Sequence, residues 1–190
     1  MRFWVLAAVA AFVQADTGAA FCRFPKGTTW TYRQSQGDTA SRVVLTVVGV
    51  EENRIVVESK EYAREGKDPE VKMLAWAVED GYLVWGAIRD GKMQSPLRVY
   101  KAGSKKGDTW KSPLGEGKGE LEAVHLGTAE VKVPAGTYRD AVQVAFRFGL
   151  DQERPLMEIA LVPKVGMVRF GGSAGQVRAL MELTEFKEGK

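Results

Sequence analysis

A chain of 190 residues and 20.9 kDa is long enough to bury the core of one domain and too short for two large ones. Hydrophobic residues at 45% and charged residues at 27% are the balance of a globular protein, which excludes a disordered or fibrous chain. The 27 Lys and Arg nearly cancel the 24 Asp and Glu, and the signs are interleaved without a basic block, so no nucleic-acid partner is expected.

Met1-Arg2 is a short positive start, and Phe3 to Val13 is an unbroken apolar run. That run has the length of a signal-peptide core and is too short to cross a bilayer. Small residues at Val13-Gln14-Ala15 and at Gly18-Ala19-Ala20 suit a signal peptidase. Domain-like sequence begins at Phe21, so residues 1–20 are expected to be removed after Ala20, leaving residues 21–190 as a single all-β domain. Export implies an oxidising compartment, but Cys22 is the only cysteine and cannot form an intramolecular disulfide. Bulky Phe21 directly before it argues against lipid attachment. A periplasmic or secreted location with no membrane span after cleavage is therefore expected.

Beyond the N-terminus the pattern has period 2 or consists of short apolar runs, broken by Gly, Pro, Asn and Asp, which predicts strands. Thr28 to Gln34 puts Trp30 and Tyr32 on one face. Arg42 to Val50 is almost continuously apolar and β-branched, as in a strand covered on both sides. After the Glu51-Glu52-Asn53 turn the chain returns through Arg54 to Arg64. Glu79-Asp80-Gly81 and Arg89-Asp90-Gly91 are hairpin signals, because Asp-Gly supplies the positive φ angles of a type I′ turn; Tyr82 to Ile88 runs between them. Thr109 to Leu114, Glu120 to Leu126 and Ala129 to Val133 follow. Pro134 and Gly136 form a tight turn into Ala141 to Phe148, where Val142, Val144, Phe146 and Phe148 share a face. Leu156 to Val162, Met167 to Phe170 and Val177 to Phe186 complete the chain. About eleven strands with short connections predict an antiparallel β-barrel or a strongly curved half-barrel, which leaves few edges open. Gly66 to Glu70 and Gly115 to Gly119 read as loops.

One pattern repeats. Lys26-Gly27-Thr28-Thr29-Trp30 recurs as Lys106-Gly107-Asp108-Thr109-Trp110. Trp76 to Val84 likewise matches Leu161 to Arg169, each a strand, a Gly-containing turn and a strand. The order is the same in both cases, which predicts two similar halves packed as one barrel.

These boxes resemble a family of uncharacterised secreted bacterial β-proteins with a domain of unknown function. The resemblance rests on Phe24-Pro25 leading into Gly27-Thr28-Thr29-Trp30-Thr31-Tyr32, on Gly107 to Trp110, on the Val131 to Tyr138 hairpin with its Val142 to Val144 strand, and on Pro163 to Val168. Leu161-Val162 stands where family members often carry a Tyr or Trp pair. The resemblance implies an envelope location and a curved sheet similar in shape to the periplasmic lipoprotein carriers. It implies no catalytic residues, since the shared motifs are turn and packing residues.

The remaining chemistry is sparse. His125 is the only histidine, so no mechanism or metal site needing two is open to this chain, and it reads as an ordinary strand residue. The acidic clusters Glu51-Glu52, Glu79-Asp80 and Asp151-Gln152-Glu153 all coincide with turns, where carboxylates are solvated. No cofactor or phosphate-binding motif is present, and no cofactor, metal site or catalytic residue is expected. The aromatic residues Trp30, Tyr32, Trp76, Trp85, Trp110, Phe146 and Phe148 either fill the core or line an apolar cavity. The expected function is a non-enzymatic envelope module holding an apolar ligand or an envelope protein. The alternatives are a structural accessory protein acting through a sheet edge or surface patch, and an unrecognised hydrolase.

Overall fold

The computed structural model describes residues 18–63, 67–114, 119–148, 155–174 and 177–190. The apolar run Phe3 to Val13 and the Asp151-Gln152-Glu153 cluster lie outside the described residues, as does most of the Gly115 to Gly119 loop. Gly18–Phe21 forms a short 3-10 turn. Twelve strands follow: β1 (Thr29–Gln36), β2 (Thr39–Val50), β3 (Arg54–Tyr62), β4 (Glu70–Glu79), β5 (Tyr82–Arg89), β6 (Lys92–Lys101), β7 (Thr109–Pro113), β8 (Glu120–Val133), β9 (Gly136–Arg147), β10 (Met157–Val162), β11 (Gly166–Ala174) and β12 (Val177–Lys187).

All twelve belong to one antiparallel sheet in the order β6-β5-β4-β3-β2-β1-β12-β11-β10-β9-β8-β7. Strands β1 to β6 and β7 to β12 are each an up-and-down meander, joined through the β1–β12 ladder. The sheet curls until its edges β6 and β7 face each other, giving a nearly closed barrel with one unsealed seam. At the seam, side chains replace the ladder. The Arg98 N–H donates to Ser112 Oγ at 2.7 Å, and Trp110 Nε1 donates to the Arg98 carbonyl at 2.8 Å. Both edges carry proline and lysine, at Lys92 and Pro96 on β6 and Lys111 and Pro113 on β7. Proline cannot donate to a ladder and a charge resists stacking, so these residues keep foreign strands off the edge.

The turns form for the local reasons read from the sequence. Asp80 and Gly81 have φ of 50° and 78°, and Asp90 and Gly91 of 51° and 73°, the positive pair that a type I′ turn needs. Two local expectations are corrected. The runs Glu120 to Leu126 and Ala129 to Val133 are one strand, β8, because Gly127 at φ 99° absorbs an irregularity in pairing rather than ending the strand. Strand β2 is covered on one side only. Val43, Leu45 and Val47 are buried, while Val44 and Val48 are half-buried and Val50 is exposed, because the second face lies outside the barrel.

The repeated boxes occupy matching places. Trp30 and Trp110 are each the second residue of the first strand of a meander, and the second box spans β4–β5 in one half and β10–β11 in the other. Their hydrogen bonds also match. Gly27 N–H donates to the Val47 carbonyl and Val47 N–H to the Thr28 carbonyl; Gly107 N–H donates to the His125 carbonyl and His125 N–H to the Asp108 carbonyl. Gly27 and Gly107 have φ of 87° and 93°, a conformation that disfavours any residue with a Cβ.

The inner face of the barrel can be followed across the ladders, since directly opposed residues point the same way. Ile55, Trp76, Trp85 and Leu97 form one such row. His125, Val144, Ile159, Phe170 and Met181 form another. One end of the barrel is closed by the N-terminal segment. Phe21 packs edge-on against Tyr100 at 5.1 Å, and Phe24 edge-on against Trp30 at 4.8 Å, with Trp76 and Phe186 slightly farther away. The Ala20 carbonyl accepts from Lys164 N–H at 2.8 Å, so the turn before the plug is tied to the β10–β11 connection. Leu121, Ala123, Val144, Phe146, Ile159 and Leu161 are fully buried and fill the lumen along β8 to β10.

Candidate functional site

The lumen is not filled along β1 to β4 and β11 to β12. A cavity of about 310 Å³ opens there, at the barrel end that carries the β1–β2 and β3–β4 connections. Its inner wall is Val43, Leu45, Leu74, Trp76, Trp85, Met167, Phe170 and Met181, and its rim is Gln34, Ser59, Glu61, Glu70 and Lys72. The depth follows from strand geometry. Lys72 on the rim and Trp76 on the inner wall are four residues apart on β4, about 13 Å at roughly 3.3 Å per residue.

The inner wall is built from the bottom upward. Trp30 is fully buried and its Nε1 donates to the Val165 carbonyl at 2.6 Å, which fixes the ring. Trp76 packs on Trp30 at 5.1 Å, and Trp85 stacks on Trp76 at 5.2 Å with ring planes 26° apart. The cavity face is therefore an aromatic surface whose orientation is set two rings down. Trp85 Nε1 is buried and has no hydrogen-bond partner among the described residues. A buried N–H without an acceptor costs about 1–3 kcal/mol, and this indole nitrogen is covered by protein rather than open to the cavity.

The rim is polar and carries both signs. Glu61 accepts from Ser41 Oγ at 3.1 Å through one carboxylate oxygen. Lys72 pairs with Glu70 at 2.9 Å across an exposed contact. Beyond the rim lie two shallow hollows that share Glu61 and Ala63. One of about 210 Å³ adds Gln34, Gln36, Thr39 and Ser41, and the other, of about 240 Å³, adds Lys67, Asp68 and Glu70.

The aromatic residues expected at a ligand site are divided by the structure. Trp76 and Trp85 line the cavity, with Trp30 directly behind Trp76. Tyr32 is wholly buried and donates to the Met167 carbonyl at 2.8 Å; burial raises its phenol far above the ordinary range. Trp110 belongs to the seam. Phe146 lies in the filled part of the core, and Phe148 is 53% exposed, so the alternation that grouped these two ends at the last residue of β9. The sequence did not single out Glu61, Phe170 or Met181, which come together only through ladder pairing around the barrel.

Other groups lie elsewhere. His125 is buried under Tyr100, with Nδ1 3.1 Å from Ser104 Oγ and Nε2 without a hydrogen-bond partner among the described residues. Cys22 is buried in the core cluster, and burial pushes its thiol up to about 11. A larger open hollow of about 520 Å³ runs beside Cys22, Arg23 and Phe24 and the β2–β3 turn. There the Arg54 guanidinium binds Glu51 at 2.7 Å and holds its carboxyl below the usual range. Among the described residues no group of three or more His, Cys, Asp or Glu is placed to hold a metal ion, and no helix is long and apolar enough to cross a membrane.

A barrel with an apolar pocket at one mouth is the architecture that the fold and site define, and one solved structure shares the fold. A Bacteroides fragilis protein, described as a candidate exported protein with a YmcC-like fold, superposes with a TM-score of 0.57 at 14% identity, over 88% of this chain and 99% of that one. At that identity the likeness shows the fold alone. A hypothetical protein from Chlamydia trachomatis aligns over 86% of this chain and 88% of its own at 8% identity, but its TM-score of 0.32 carries no argument. No family model and no curated protein matches the chain.

Proposed function

We propose that this protein is a non-enzymatic binding module of the bacterial envelope that holds an apolar group in the mouth of its barrel. The observation that carries the proposal is the 310 Å³ cavity walled by Trp76, Trp85, Leu45, Phe170 and Met181. Binding pockets are concave and mostly apolar, with a few placed polar groups, and span roughly 300–1,000 Å³. This cavity is at the small end of that range, so it takes one chain or ring rather than a two-chain lipid. The fold gives the cavity fixed walls, because each strand that lines it is paired on both sides. The apolar start of the chain, and the description of the Bacteroides protein as a candidate for export, support an envelope location.

Native mass spectrometry of protein purified from the periplasm without detergent, together with solvent extraction and lipid analysis, tests this. A co-purifying small apolar species is the expected result. Its absence, combined with no change in tryptophan emission on adding octanol or octyl compounds, overturns the proposal.

A further inference from the structure

We infer that the ligand is a single-chain amphiphile with an uncharged, hydroxylated head group, and that Glu61 is the residue that selects it. The inference rests on the apolar-group proposal above and names the other end of the molecule. Glu61 is common to the apolar cavity and to both polar hollows beyond it, so any ligand that fills the cavity and emerges from it passes this carboxylate.

The charges at the mouth decide the head group. Glu61 and Asp68 repel an anionic head, while Lys67 repels a cationic one. The Lys72–Glu70 pair already neutralises itself. Gln34 and Gln36 complete the mouth with amides that both donate and accept, and Thr39 and Ser41, whose protons go to the Gln36 carbonyl and to Glu61, add acceptor oxygens. A hydroxylated head matches this set, because each hydroxyl donates to a carboxylate or accepts from an amide or ammonium. Ser41 occupies one oxygen of Glu61, and the other has no protein donor among the hydrogen bonds of the described residues. A ligand hydroxyl donating to that oxygen makes a charge-assisted bond, the stronger kind.

The test is equilibrium binding followed by tryptophan fluorescence, with four probes of one chain length below their micellar concentrations: octyl glucoside, octylphosphocholine, octanoate and octanol. Octyl glucoside is expected to bind tightest. Glu61→Gln is expected to weaken octyl glucoside about tenfold, the loss of one charge-assisted hydrogen bond, and not to weaken octanoate, whose head has no hydroxyl to donate. If octanoate or octylphosphocholine binds as tightly as the glucoside, or if Glu61→Gln weakens all four alike, the head-group inference is overturned while the cavity proposal stands. If none of the four binds, the cavity proposal falls with it. Glu61 is half-buried at the end of β3, so the glutamine variant keeps the shape of the rim, and an unchanged urea midpoint checks its fold.

Discussion

Replacing Ser112 by alanine removes the acceptor of the Arg98 amide where β6 meets β7. Ser112 is fully buried and its Oγ lies 2.7 Å from the Arg98 nitrogen. The Arg98 amide points away from β5 and has no ladder partner on that side. The variant leaves it without an acceptor, at a cost of about 1–3 kcal/mol. Trp110→Phe keeps a ring in the buried position but deletes the 2.8 Å bond to the Arg98 carbonyl, at about 0.5–1.5 kcal/mol. Both bonds end on one residue, so the double variant is expected to depart from the sum of the singles. Urea unfolding at equilibrium gives the stabilities, and hydrogen exchange at the Arg98 amide gives the local opening of the seam. Ser173→Ala is the control, since its bond to the Pro155 carbonyl is 3.5 Å long and contributes little. A Ser112→Ala variant within about 0.3 kcal/mol of the parent, with Arg98 exchange no faster, would refute the view that these side chains hold the barrel closed.

Three further outcomes are expected. Phe24→Ala opens the plugged end of the barrel by removing the ring that meets Trp30, Trp76 and Phe186, and thermal or urea unfolding is expected to show a loss of about 3–5 kcal/mol. The Cys22 thiol is raised by burial to about 11 from 9.0, so the unfolded chain gives up this proton first; stability then falls as pH rises from about 9 and the fall ends near 11, amounting to at most about 2–3 kcal/mol. Urea midpoints across that range check the slope, and Cys22→Ser should flatten it; iodoacetamide is expected to label Cys22 only after unfolding. A chain starting at Phe21 lacks the Ala20 carbonyl that accepts from Lys164, and is expected to be about 0.5–1.5 kcal/mol less stable than one starting at Asp16; intact mass of the exported protein shows which start the cell uses.

The likeness between the two meanders gives the seam its meaning. The β1–β12 junction and the β6–β7 junction hold corresponding places in the two halves. The first is a full ladder and the second is bridged by two side chains. The short β7, with only five residues ending at Pro113, cannot pair along the whole of β6. The barrel is therefore most weakly closed at β6 and β7, neither of which contributes a lining residue to the cavity.

The sequence by itself determined the strands, the hairpins and the repeat. Asp80-Gly81 and Asp90-Gly91 set their turns through backbone sterics alone, and the alternation that puts Trp30 and Tyr32 on one face of β1 set an inner face through the period of an extended chain. The Gly27 and Gly107 boxes were legible for the same reason, since each is a local conformation followed by a bulky strand residue. Tertiary structure decided what the aromatic residues do. Trp76 and Trp110 have the same chemistry and similar strand contexts, yet one lines a cavity and the other bridges a seam. What separates them is which strand closure brings opposite them: β11 and β12 across the lumen from Trp76, β6 beside Trp110. Whether a lumen is filled or hollow depends on the summed side-chain volume of opposing walls, a property of pairs far apart in the chain. Periodicity and turn chemistry act within a few residues and carry no record of it.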